Sequence, residues 1–374
     1  MTVMPDAPIS TSTPDTSGGP IWVECPPSQT FSSEWLTQAL SRHWPGSIVE
    51  SAKADSVTIG TTNHYRVHLK YARGAGPASI FIKIQGRLGK RVLLSTMGLL
   101  TPETLLQGSV ERVPIETPAV YAVAINRMKL DSLIVMEDLT LRGATMNIVT
   151  KPFPLERIYR GLDQLARMHG RYWNSIPPTL RGVKPWKMLF GWRTLALLGG
   201  LQGVPKMRKY GVIDVIPPEL QVWSSCMWLT KKAIELSSQG PQTLIHGDTH
   251  VGNTYNLPNG DLGFVDWQCV HQGSWSRDIA YFMMCGLDVE DRRRHERDML
   301  RYYLDALAKA GGTPPAWNDL WDAYRNAPAY GLVAWISTLA GDDYQPDAVN
   351  LRYIERFGAA YKDLETTRLL RGAG

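Results

Sequence analysis

His246-Gly247-Asp248-Thr249-His250-Val251-Gly252-Asn253, followed by Phe264-Val265-Asp266-Trp267, sets an aspartate, an asparagine five residues on and a second aspartate thirteen beyond that in one short stretch. That order and spacing suit phosphoryl transfer from a magnesium nucleotide. Asp248 stands where an acceptor hydroxyl would lose its proton, and Asn253 and Asp266 supply the hard oxygen ligands that magnesium prefers. Taken singly, Asn and Asp are turn formers; their joint spacing makes the case. His250 either bonds to phosphate or braces the loop, and His246 reads as a packing residue that holds backbone.

The elements that must position these groups are legible as patterns. Thr243-Leu244-Ile245 and Leu262-Gly263-Phe264-Val265 read as short buried strands, and the turn Pro258-Asn259-Gly260-Asp261 predicts that they form a hairpin, with both acids on one rim. Upstream, Phe31 to His43 predicts an amphipathic helix capped by Ser32 or Ser33. From Ser56 the period is two: Tyr65, Val67, Leu69 and Tyr71, a turn through Gly74 and Gly76, then Ile80, Ile82 and Ile84, with Lys83 on the opposite face. A helical stretch at 101–110 and strands at 119–125 and 132–136 complete a small, largely antiparallel sheet. Beyond 137 the chain turns helical: a stripe from Leu155 to Tyr172, a helix at 289–310 closed by Gly311-Gly312, and helices at 318–340 and 347–370. The expected class is α+β in two lobes, with residues 1–20 a disordered tail, 21–137 the first lobe and 138–374 the second.

Composition bounds the function. A chain of 374 residues, 44% hydrophobic and 20% charged, is long enough for two lobes. A formal charge of +5 does not call for a nucleic-acid partner, and the runs Lys206 to Lys209 and Arg292 to Arg294 are expected on solvated faces. The four cysteines stand far apart without metal-site spacing, so reduced thiols are expected. No apolar run is long enough to span a bilayer, and no signal-peptide pattern is evident; a cytoplasmic protein without membrane insertion is expected.

On these residues the chain resembles the aminoglycoside phosphotransferase and choline kinase superfamily, and within it the branch called CHK kinase-like or ecdysteroid kinase-like. The resemblance runs from about residue 55 to 365 and rests on LIHGDTHVGNTY, GFVDWQ and RDIAYFM, with SIFIKIQ, TPAVY, IVMEDL and YRNAPAYGLVAW in order along the chain. It implies a protein-kinase-like fold of two lobes, ATP (or GTP) with Mg2+ in the cleft, Asp248 as catalytic aspartate, and Asn253 and Asp266 as metal ligands. It implies further that Lys83 grips the α- and β-phosphates with Glu103 as its partner, Glu111 competing for that place. The segment Ile59 to Asn63, with Gly60, Thr61 and Thr62, would cradle phosphate. Met136, Glu137 and Leu139, around Asp138, would form the linker whose backbone meets adenine. Asp278 would brace the catalytic loop, or stabilise a helix start through the dipole. Arg277-Asp278 begins only eleven positions after Asp266 and no Ala-Pro-Glu follows, which leaves no long activation segment and argues for a small-molecule kinase over a protein kinase.

The acceptor pocket is expected from 180–225, with Trp186, Phe190, Trp192, Leu195, Leu198 and Trp223, and from Trp317, Trp321, Tyr324 and Trp335. As a group these suit an apolar or ring-shaped alcohol. Choline-type amines, held by an aromatic cage, hydroxyacyl thioesters and a catalytically inactive kinase-like binding module stand as alternatives. Oligomeric state, regiochemistry and the choice between ATP and GTP stay open.

Overall fold

The period-two stretches become the strands β1 (Ile21–Trp22), β2 (Ile48–Ile59), β3 (Thr62–Arg73), β4 (Ser79–Gln85), β5 (Val120–Asn126) and β6 (Asp131–Glu137) of one sheet, ordered β1-β5-β6-β4-β3-β2. All neighbours are antiparallel except the parallel pair β1 and β5. The computed structural model describes residues 19–27, 30–59, 62–151, 153–178, 180, 197, 199–341 and 345–372. The tail expected at 1–20 therefore lies almost wholly outside the described residues, as do Gly60, Thr61, Trp186, Phe190, Trp192, Leu195 and Leu198.

Two compact units emerge. The first comprises residues 1–95, 104–112 and 118–142; the second comprises 96–103, 113–117 and 143–374. In the first, helix α1 (Ser33–Leu40) starts where the Ser32 hydroxyl accepts the Trp35 N–H at 3.2 Å. Its residues Leu36, Ala39 and Leu40, spaced for one helical face, pack on the sheet face that carries Val67, Ile80, Ile82, Ile84 and Val135. The central strand β4 pairs on both sides, so its three isoleucines are sealed completely. Strand β2 reaches back to Ile48, well before the expected start at Ser56. It is the edge strand with most side chains exposed, so no alternation of burial marked it. Helix α2 (Leu88–Thr96) was not foreshadowed by the pattern, and α3 (Pro102–Gln107) falls within the expected helical stretch.

The second unit holds β7 (Thr145–Met146), α4 (Leu155–Arg171), α5 (Val204–Lys209), α6 (Trp223–Ser237), β8 (Thr243–Ile245), β9 (Thr254–Asn256), β10 (Leu262–Phe264) and β11 (His271–Gly273). These are followed by α7 (Trp275–Gly286), α8 (Val289–Lys309), α9 (Trp317–Asn326), α10 (Pro328–Ala340), α11 (Asp347–Asp363) and α12 (Thr366–Leu370). Each of the two long C-terminal helices expected from the pattern is in fact a pair. Pro328 has no N–H to continue α9 and starts α10 instead. Glu365, with φ at 50°, turns the chain between α11 and α12.

The expected hairpin is also re-paired. The turn at 258–261 joins β10 to β9, whereas β8 takes β11 as its antiparallel partner. Only three residues long, these strands carry too little pattern to encode their partners. The basic run on α8 divides as well: Arg292 is 1% exposed and bonded to Glu296 (2.7 Å) and Asp363, so it is an internal tie and not a solvated side chain. All four cysteines are free thiols. Among the described residues no helix is long and apolar enough to cross a membrane. Ile82→Ala, which empties the centre of the sheet core, is expected to cost about 2–5 kcal/mol of unfolding free energy, read as a lowered urea midpoint. Exposed Lys53→Ala should leave the midpoint in place.

Candidate active site

A loop leaves β8 and passes at once over the first turn of α7. Asp278, completely buried there, accepts the His246 N–H on Oδ2 (2.7 Å) and the Gly247 N–H on Oδ1 (2.8 Å). His169 from α4 approaches Oδ2 through Nε2 at 3.4 Å, its ring oriented by Tyr303 at 2.8 Å. Burial alone would raise the Asp278 carboxyl. The hydrogen bond and charge of His169, with His246 and the Gly247 amide, outweigh it and hold the group below the usual carboxylate range. Thr249 Oγ1 closes the brace on the Asp278 carbonyl (2.7 Å). Gly247 has φ at 84°, and a Cβ there would stand 2.2 Å from the Cys269 carbonyl; both facts demand glycine. Arg277 grips the Gly247 carbonyl (3.2 Å) while its guanidinium lies 3.5 Å from the centre of the Tyr330 ring.

This brace presents Asp248, whose side chain keeps 33% of its surface exposed. Asn253, at the end of a single 3-10 turn over Val251–Asn253, donates Nδ2 to the Asp248 carbonyl (2.9 Å) and to its Oδ2 (3.3 Å). Asp266 arrives from β10: the Val265 N–H donates to the Asn253 carbonyl (2.9 Å), and Asp266 adopts φ 62°, ψ 69°. The His246 ring joins both segments. Nε2 is 3.0 Å from the Val265 carbonyl, which can only accept, so Nε2 carries the proton and Nδ1 accepts the Asp248 N–H at 3.3 Å. Burial pushes the imidazole down, in keeping with this neutral form.

The structure thus brings Asp248, Asn253, Asp266 and His250 together. His250 Nε2 lies 3.8 Å from Asp248 Oδ2, its ring meets Trp335 edge-on at 5.4 Å, and Nδ1 is 3.5 Å from the Tyr353 hydroxyl. Trp335 in turn stacks on Tyr353 at 4.0 Å and on Tyr281 at 6.2 Å. Burial first, with the charge of Asp248 adding, raises the Tyr281 and Tyr353 phenols, so both stay neutral. Trp317, Trp321 and Tyr324 stack on one another in sequence, with Arg301 of α8 over the Trp317 ring and Arg297 over the Trp321 ring. Trp223 is 45% exposed.

Glu103 is buried, and its Oε1 accepts the Trp267 N–H (3.0 Å) immediately after Asp266. In the first unit, Lys83 is 6% exposed on β4; its register partners His64 and Ile134 set it on the face opposite Ile82 and Ile84. Thr62 opens β3, with its hydroxyl 3.1 Å from His64 Nε2. Met136 and Glu137 end β6, and Leu139 begins a short 3-10 turn. The acidic side chains of this linker bond to the protein, with Asp138 buried and Glu137 half-buried. Glu137 accepts the Ala119 N–H (3.1 Å). Buried Asp138 accepts Arg66 Nε (2.8 Å), Ser79 Oγ (2.6 Å) and both the N–H and hydroxyl of Thr140. Burial works against the Asp138 anion, but these donors hold its pKa down.

Sequence reasoning overlooked His169, Arg277, Tyr330 and Tyr353, which act only through contacts distant in the chain; the arginine next to Asp278 was the sole local signal. One further contact sets a pH response. His271 donates Nδ1 to the Cys269 carbonyl (2.6 Å) and takes Arg277 on Nε2 (3.2 Å). Burial, then the Arg277 charge, push it down to about 3. Below the ordinary histidine value of about 6.5 the unfolded chain takes up the proton and the folded one does not. Its contribution is therefore whole above that pH and is lost as pH falls towards about 3. His271→Gln is expected to flatten that part of the stability–pH curve, measured by urea unfolding; an unchanged slope would count against the assignment.

Comparison with known proteins places this architecture. The ecdysteroid kinase-like family model matches residues 218–311. A spectinomycin phosphotransferase, solved in complex with ADP and spectinomycin, superposes with a TM-score of 0.50 at 14% identity, covering 90% of this chain and all of its own. Plasmodium vivax ethanolamine kinase does so with a TM-score of 0.50 at 12% identity, covering 82% of each chain. No curated protein matches by sequence. The chain has the two-part α+β fold of these small-molecule kinases, a sheet-rich first unit and a helical second, and its stretch 218–311 matches the ecdysteroid kinase-like family.

Proposed function

We propose that the chain is an ATP- and magnesium-dependent kinase that phosphorylates a hydroxyl of an apolar or ring-shaped small molecule. The observation that carries the reading is the state of Asp248. Its loop is locked by a buried carboxylate, a neutral histidine and a positive-φ glycine, yet its own carboxylate is left partly exposed beside Asn253 and His250. A rigid support under one accessible carboxylate is what phosphoryl transfer asks of a protein, because its loose transition state is accelerated chiefly by positioning.

In this reading the acceptor oxygen attacks the γ-phosphorus, the bond to the β-phosphate oxygen breaks, and the hydroxyl proton passes to Asp248. Asn253 and Asp266 would hold magnesium. With the Asn253 amide nitrogen committed to Asp248, its oxygen is the atom left to face a cation, and one amide oxygen with one carboxylate suits an ion that keeps water and phosphate as its other ligands. Bound there, magnesium would neutralise charge on the phosphates. Lys83 holds the α- and β-phosphates, and Glu103 fixes the backbone beside Asp266. Thr62, with Gly60 and Thr61, contributes to phosphate binding, and Met136, Glu137 and Leu139 offer backbone to the base of ATP or GTP. His250, braced by Trp335 and Tyr353, supports Asp248. Thirteen tryptophans in the chain support an apolar or ring-shaped acceptor, and the setting of the reaction is cytoplasmic.

The test is ATP and GTP consumption with magnesium against steroids, terpenoids, macrolides, aminoglycosides, choline and hydroxyacyl thioesters. Asp248→Ala is expected to lower turnover about 10²- to 10⁴-fold while retaining nucleotide binding; turnover near the parent's would refute the base. Asp266→Ala should instead weaken binding of the magnesium nucleotide, and parental binding in that variant would remove Asp266 from the metal site.

A further inference from the structure

The two proposed metal ligands sit at one end of the β9–β10 hairpin, Asn253 just before β9 and Asp266 two residues after β10. Behind that hairpin lies Glu116, from the short segment 113–117 that belongs to the second unit although the chain before and after it belongs to the first. Glu116 binds both strands. Its carbonyl accepts the Phe264 N–H of β10 (3.0 Å), and its Oε1 accepts the hydroxyl of Tyr255 on β9 (2.8 Å). Its own N–H donates to Gln164 Oε1 on α4 (3.1 Å), which anchors it to the body of the unit.

The hairpin is shaped for this contact. Tyr255 is fully buried and faces Gly263 in register; a Cβ on Gly263 would come within 2.2 Å of the Tyr255 ring. Glycine at 263 is therefore the space through which the tyrosine lies, and a buried phenol without its acceptor would be costly.

We propose that Glu116 is a positioning residue for the metal-holding pair. By tying Tyr255 and Phe264 to one point it sets the separation of Asn253 and Asp266, two positions outside each tie. The inference rests on the kinase reading above. Groups that orient metal ligands from behind carry about a 10- to 100-fold effect on metal affinity when removed.

The experiment measures ADP binding by calorimetry as a function of magnesium, and amide exchange at Phe264 and Val265, in the full chain. Tyr255→Phe removes only the hydroxyl, Glu116→Ala the acceptor, and Glu116→Gln keeps an oxygen to accept the phenol. The first two are expected to raise the magnesium requirement about 10-fold, leave metal-free ADP binding at the parental level and speed exchange at both amides; Glu116→Gln should behave as the parent. Faster exchange with a parental magnesium requirement would overturn the positioning role, as would unchanged exchange. A parent that shows no magnesium-dependent ADP binding would instead overturn the kinase reading. Tyr255→Phe, the milder change, keeps the proposal falsifiable should Glu116→Ala fail to fold.

Discussion

A single buried carboxylate organises the segment around Asp248. Asp278 has no access to water, so its charge must be met inside the protein, and the donors that meet it are the N–H groups of the two residues before Asp248. Satisfying Asp278 and shaping the loop are thus the same event. The first turn of α7, the end of β8, the ring of His169 and the hydroxyl of Thr249 all converge on this residue. A group so constrained cannot move without leaving an ion unsolvated, which holds the loop in this conformation.

His246 extends the constraint to the second acid. Kept neutral by burial, its ring has one donor and one acceptor, and these address the Val265 carbonyl and the Asp248 N–H. A protonated ring would lose the acceptor. The imidazole measures the distance between the stretch ending in Asp248 and the stretch ending in Asp266. Glycines set the remaining limits: Gly247 allows the approach of the Cys269 carbonyl, and Gly263 admits the Tyr255 ring. Both are steric vacancies that a methyl group would fill.

The rest of the second unit supports the loop through aromatic stacking more than through charge. Trp335, Tyr353 and Tyr281 form a continuous stack beneath His250, and the Tyr330 ring covers Arg277. Flat rings bury large areas while limiting side-chain entropy lost per contact, so they fix histidine and arginine orientations that single hydrogen bonds would leave loose. On α9, the rings of Trp321 and Trp317 are likewise covered by the α8 arginines Arg297 and Arg301.

Local chemistry was enough to read the α+β class, the strands around Ile80 to Ile84, the helical stripe of α4, and the residues Asp248, Asn253 and Asp266 as a set. Those features depend on periodicity or on spacing within about twenty residues, which a linear chain displays directly. Pairing of the three-residue strands was not so displayed: β8 joins β11, and β9 joins β10, because their partners are chosen by the contacts of Asp278, His246 and Glu116. The burial of Arg292 and Asp138 was equally hidden, since a charged residue is internal only where folding delivers its counterions, here Glu296 and Asp363 for one and Arg66 and Ser79 for the other. Sequence alone singled out the groups proposed here for phosphoryl chemistry. Three-dimensional packing decided which buried partners hold them, because an ion's or amide's partner is selected by proximity in space, and proximity between residues 116 and 255, or 169 and 278, is a property of the folded chain.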